Sequence, residues 1–166
     1  MESLKKQLQN LDLKQVRVSN GETLSTIMEK EAKRLYRLIQ ERIDKYYSSY
    51  HSNSYFYERT GNFRNSLFVD DIVNIKINGN GLEIGLGFQQ DLAMHRNIFD
   101  NHDSFVPLLM ERGWKATRLE EKYGVIEHFT RFDGINAVRD AIEEFNRSNK
   151  YGIVVNADNF YNATIY

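Results

Sequence analysis

The chain contains no cysteine. That excludes disulfides, thiolate metal sites and a cysteine nucleophile, and it is compatible with assembly in a reducing cytosol. Proline is nearly absent, with Pro107 the single instance. No stretch approaches the ~18 apolar residues that a membrane span needs. Residues Met1 to Asn20 hold no continuous apolar core of the kind a secretory signal carries, so none is expected, and the sequon at Asn162-Ala163-Thr164 is read as chance. Neither sign of charge dominates: the net charge is −1, with no block of basic residues. A broad phosphate-binding surface is therefore not expected. What remains is an ordinary folded composition, 41% hydrophobic and 27% charged, unusually rich in Tyr and Phe, ten of each. A chain of 166 residues suits one domain that can bury roughly 70% of its unfolded surface. The aromatics fill a core or serve an interface, where Tyr and Trp are favoured.

Along the chain, residues 1–20 read as an N-terminal arm. Leu4, Leu8 and Leu11 have helical spacing, whereas Leu11, Leu13, Val16 and Val18 have strand-like spacing. Asn20-Gly21 breaks the pattern. From Glu22 to about Ser48 a long helix is predicted, with Leu24, Met28, Leu35, Ile39, Ile43, Tyr46 and Tyr50 on one apolar face. At about 1.5 Å per residue it would be ~40 Å long, enough that part of the stripe is expected to meet a partner. Ser48 to Tyr57 reads as an irregular connection. Thr60 is placed to cap a short turn that carries Phe63 and Leu67. Val69–Ile77 and Leu82–Phe88 read as strands joined by Asn78-Gly79-Asn80-Gly81, the chemistry of a tight hairpin. Val73, Ile75, Ile77, Ile84 and Leu86 are expected on its core face. Gly85 and Gly87 suggest a bulge or a close backbone approach, as of a neighbouring subunit. Gln89 to Arg112 reads as polar and loop-like, except that Pro107 can open a short helix in the apolar run Phe105–Met110. Thr117 to Lys122 reads as a solvated loop, and Tyr123 to Phe132 as extended. After Asp133-Gly134 a helix is predicted with Ile135, Val138, Ile142 and Phe145 as its stripe. Tyr151–Asn156 reads as a last strand.

Several groups invite a chemical reading. His95, Asp100, His102 and Asp103 are of metal-ligating type, but their spacing matches no metal motif. Asp70, Asp71 and Glu83 could be paired carboxylates, yet neighbours on a strand alternate faces, and a strand-entry turn is preferred. Ser66 and His51 lack a nucleophile elbow. Gly79, Gly81, Gly85 and Gly87 lack the strand-to-helix context of a phosphate loop. Arg59 and Arg64 either pair with carboxylates at the join of long helix and hairpin, or face an acidic partner or DNA. No catalytic, cofactor-binding or metal-binding residue is assigned, and no enzyme activity is expected.

The run Tyr57-Glu58-Arg59-Thr60-Gly61-Asn62-Phe63-Arg64-Asn65-Ser66-Leu67, followed by a hairpin, resembles the small tail-component family of tailed bacteriophages, the tail-completion or head–tail joining proteins. Phe105-Val106-Pro107-Leu108-Leu109-Met110-Glu111-Arg112-Gly113-Trp114 and Phe132-Asp133-Gly134-Ile135-Asn136-Ala137-Val138 also resemble segments of relatives from phages of Gram-positive hosts. The similarity runs in order from about Glu22 to Val155. Gln89 to Trp114 is longer here than in many members and carries His95 and His102. The resemblance implies an α+β fold: a long N-terminal helix and a C-terminal helix packed on a small, mostly antiparallel sheet with a central hairpin, all in one domain over 21–166. The strand candidates in the sequence predict three to five strands for that sheet. The resemblance further implies a virion structural protein of the tail or neck, assembled in the host cytoplasm and without cofactor. Its partners would be copies of itself in a ring, six-fold or twelve-fold, neighbouring neck or tail proteins, and DNA in the ring lumen contacted without sequence specificity, with no membrane. Arg59, Thr60, Gly61, Phe63, Arg64, Ser66, Gly113 and Trp114 are then the structural or assembly residues. A tail terminator or minor capsid protein is the alternative within virions. A metal-dependent enzyme using the His95–Asp103 loop is the alternative outside them, and a nucleic-acid-binding module is disfavoured by the neutral charge.

Overall fold

The computed structural model describes residues 12–49, 61–75, 81–96, 103–115 and 131–161. Leu4, Leu8, His51, Arg59, Thr60, Ile77, the Asn78–Asn80 turn, Asp100, His102 and the run Thr117–Lys122 lie outside them. The architecture is α+β. Its elements fall into two compact units, which divide between Arg37 and Leu38 and at the two ends of the hairpin.

The long helix α1 spans Leu24–Ser49 and contributes to both units. Its start is built by the preceding residues. Gly21 takes a positive φ of 83° and its N–H donates to Val18 O at 2.8 Å. The Asn20 carboxamide oxygen accepts from Glu22 N–H at 3.1 Å. The chain thereby reverses, and Arg17 forms an antiparallel bridge with Thr23. Thr23 Oγ1 accepts from Thr26 N–H at 3.2 Å, satisfying one of the four N–H groups that a helix start leaves over. Residues Leu13–Gln15 form one 3-10 turn, and Ser25 Oγ donates back to Lys14 O at 2.9 Å.

In the first unit, α1 buries Ile27, Ala32 and Leu35. The strands β1, Leu67–Ile75, and β2, Gly81–Phe88, pair as the expected antiparallel hairpin. The expected core face is corrected. Val73 is 52% exposed, and Ile84 and Leu86 are only half-buried. A two-stranded ribbon has too little width to cover its own apolar face. The close neighbour at Gly85 is a side chain of the same chain and not the backbone of another copy: a Cβ there would lie 2.7 Å from the Asp70 carboxylate. Gly87 faces the Phe68 ring.

In the second unit, α1 buries Ile39 and Ile43. The short helix α2, Asn62–Asn65, is followed after the hairpin by α3, Gln90–Ala93. Next come β3, Met94–Arg96, and β4, Asp103–Phe105, then α4, Val106–Arg112, with Pro107 in its first turn as expected. Strands β5, Trp114–Lys115, and β6, Arg131–Phe132, precede α5, Ala137–Arg147, and a closing turn of helix α6, Asp158–Tyr161. Ala93, Leu108, Ala141 and Phe145 are sealed from solvent.

Two expectations change here. The described residues of Gln89 to Arg112 hold α3, β3 and β4 where a loop is expected, besides the expected helix α4. The single sheet is replaced, among the described residues, by three separate two-stranded pairs. Tyr151–Asn156 joins none of them. No helix among the described residues is long and apolar enough to cross a membrane.

Candidate functional site

The elbow after α1 is organised by a glycine. Gly61 adopts φ 75°, ψ 0°, a left-handed geometry that costs a residue with a Cβ about 1–2 kcal/mol. This turns the chain into α2. Phe63 is thrown inward and buried; its ring stacks on Phe88 with centroids 5.8 Å apart and meets Tyr47 of α1 at 6.4 Å. Ser66 is fully buried. Its Oγ donates to Phe63 O at 2.7 Å, while its own carbonyl accepts from Gln89 N–H at 2.7 Å. The hydroxyl is thus committed to closing a turn. Arg64 Nε donates to Asp44 Oδ1 at 2.6 Å. That hydrogen bond holds the Asp44 carboxyl below its ordinary range and raises the Arg64 guanidinium. The pair lies at the surface and ties the elbow to α1.

The second constellation unites the two other segments that carry the family resemblance. Helix α4 ends at Gly113, with φ 79° and its N–H donating to Leu109 O at 2.8 Å. The chain leaves as β5 and returns as β6, with Trp114 opposite Phe132 and Lys115 opposite Arg131. Gly134 then passes directly over the end of α4. A Cβ on it would lie 2.5 Å from Glu111 O and 2.7 Å from Gly113 N, and its φ is +81°, so both space and conformation demand glycine. Ile135 N–H donates to Met110 O at 2.7 Å. Asn136 at φ 49° completes the reversal into α5.

Glu111 secures this joint and was missed in the sequence. It is a carboxylate at 4% exposure. Its two oxygens accept from the first-turn N–H groups of α5: Val138 at 2.9 Å and Arg139 at 2.8 Å. A buried charge is costly unless fully engaged. Here it meets N–H groups that the helix start leaves over, at the positive end of the helix dipole. Tyr161 Oη donates to Glu111 Oε1 at 3.4 Å. Burial, then repulsion from Glu111, pushes the Tyr161 phenol up to about 12. The signal available in the sequence was position: Glu111 follows the buried Pro107 and Leu108 by four and three residues, and so shares their face of α4.

Phe160, next to Tyr161, closes an aromatic cluster against Phe88 at 6.0 Å and Phe105 at 6.5 Å. Arg42 joins α1 to α5, donating to Glu144 Oε2 at 2.6 Å and to Asp140 O at 3.3 Å.

Of the residues singled out as metal-ligating, two are described. His95 lies opposite Ser104 and Asp103 opposite Arg96, so His95 and Asp103 occupy successive rungs of the β3–β4 ladder rather than facing positions. Among the described residues no group of three His, Asp or Glu could hold a metal. Asp70 and Asp71 are consecutive exposed positions of β1.

Comparison with protein families, curated proteins and solved structures returned no match to the chain.

Proposed function

We propose that the chain is a structural protein of a tailed bacteriophage particle, acting in tail completion or head–tail joining through a ring of copies. One observation supports this most. The segments that resemble the tail-component family are the ones that set the frame. Gly61, Phe63 and Ser66 make the elbow, and Gly113, Gly134 and Glu111 make the joint between α4 and α5. The buried polar side chains in them are spent on backbone partners: the Ser66 hydroxyl on Phe63 O and the Glu111 carboxylate on the first turn of α5. Such a motif serves a scaffold that presents surfaces, which is what an assembly protein requires.

The test is a phage carrying a nonsense codon in this gene. Electron microscopy of lysates should show filled heads and finished tails that fail to join, and antibody against the chain should label the neck or tail of wild-type particles. Tails of irregular length would shift the reading to a tail terminator, and missing heads to a minor capsid protein. Purified infectious particles without the chain would overturn the virion reading altogether.

A further inference from the structure

Tyr151–Asn156 has the chemistry of a strand and, among the described residues, no strand beside it. From Ile153 to Asp158, half-covered and exposed residues alternate, the period of extended chain. The consecutive Ile153, Val154 and Val155 are β-branched, as strands favour. The ends of the segment are held by side chains. Asn149 Oδ1 accepts from Tyr151 N–H at 3.1 Å and from Ile153 N–H at 3.3 Å, and Asn149 Nδ2 donates to Ile153 O at 2.6 Å. Asn156 Oδ1 accepts from Asp158 N–H at 2.9 Å. Between these pins, the backbone groups of Val154 and Val155 have no hydrogen-bond partner among the described residues. Water satisfies such groups, but the Val154 side chain is then 88% exposed.

A second place in the molecule has the complementary defect. Among the described residues the hairpin is two-stranded, so within them β1 keeps one edge of backbone donors and acceptors unpaired, a template for another strand. The large hydrophobic residues exposed among the described residues are Val73, Tyr151 and Val154. All of them fall on these two elements. Charge matches as well: Asp70 and Asp71 stand exposed on β1, while Arg147 and Lys150 stand exposed just before the segment.

We propose that Tyr151–Asn156 of one copy pairs with the outer edge of β1 in a second copy. The pairing is strand addition, in which backbone hydrogen bonds supply the attraction and alternate side chains the fit. Donor and acceptor surfaces differ, so the contact is head-to-tail, leaves each copy one free end of either kind, and propagates into a ring or a filament. The inference concerns the contact between copies and stands apart from the virion assignment.

The absence of native cysteine makes the test clean. Val73→Cys and Val154→Cys proteins each carry one thiol at an exposed position, and one is given a size tag. Paired strands bring Cα atoms within the range of about 4.4–6.8 Å that a disulfide needs. Mixed under an oxidising glutathione buffer, the two should form the mixed disulfide several-fold above a control in which Lys33→Cys replaces Val73→Cys. Circular dichroism confirms that each variant is folded; should Val73→Cys disturb β1, Asp71→Cys probes the same edge. A mixed yield no higher than the control overturns the proposal. So does a dominant Val154→Cys homodimer, which would mean symmetric pairing of the segment with itself.

Discussion

The hairpin unit and the unit around the α4–α5 joint are built from similar residues but held in different ways. In the hairpin unit, β1 and β2 follow one another in sequence and pair locally, and Val73 stands half in water. In the other unit, Glu111 reaches 27 residues along the chain to Val138, and Phe145 and Leu108 are sealed at 1% and 0% exposure. Stability should therefore concentrate in the second unit. The first is a platform whose backbone pairing outlives changes to its side chains. Local pairing fixes shape cheaply, whereas non-local packing fixes it firmly.

The sharpest way to break the contrast is truncation. Phe145→Ala should cost about 3–5 kcal/mol in urea unfolding, the range for a buried aromatic, whereas Val73→Ala should stay within about 0.5 kcal/mol, as for a surface site. Equal losses would erase the distinction between the units. Next is Gly134→Ala. Its Cβ would meet backbone atoms of α4, and its φ is unfavourable for alanine, so a loss of about 2–4 kcal/mol is expected in the same assay.

Glu111→Gln should be milder, about 1–3 kcal/mol, because one of the two α5 N–H groups then faces an amide N–H instead of an oxygen. Amide exchange would localise the effect, with protection lost first at Val138 and Arg139.

The smallest effect is spectroscopic. Folding raises the Tyr161 pKa from 10.0 to about 12. The folded state then binds that proton more tightly than the unfolded state does. The resulting stability is complete below pH 10 and is lost as the pH rises through about 12. Titration of the phenolate absorption band should show a late step that Tyr161→Phe removes; a Tyr161 that ionises with the exposed tyrosines would contradict its burial beside Glu111.

Much of the frame was legible in the sequence. The period of α1 was visible through Leu35, Ile39 and Ile43, and the turn chemistry after Ile75 announced the hairpin. In α5, Val138 and Phe145 were read as inward, but Ala137 and Ala141 are buried beside them while Ile142 is only half-covered. Small residues are where helices approach closely, and hydropathy undervalues them. Ala32 of α1 is passed over in the same way, whereas Ile27 is missed because the stripe is drawn through its neighbour Met28. The elbow residues Gly61, Phe63 and Ser66 were singled out, though their mutual bonds were not foreseen. Glu111 was hidden because a carboxylate between Met110 and Arg112 looks solvated unless its partner, the start of a helix far along the chain, is known. Within Gln89–Arg112 the helix at Pro107 is legible, but β3 and β4 are three residues each, too short for alternation to show.

The ladder of β5 and β6 has a practical use as a port for cargo. Trp114 and Lys115 are clasped to Phe132 and Arg131, and just beyond them Gly113 and Gly134 lock the frame. Chain inserted between Lys115 and Arg131 enters and leaves at one doorway. Each doubling of the length spanned there should cost only about 0.6 kcal/mol in closure entropy. A flexible insert joined directly to Lys115 and Arg131 should leave their pairing, and the frame that Gly113 and Gly134 lock, unchanged.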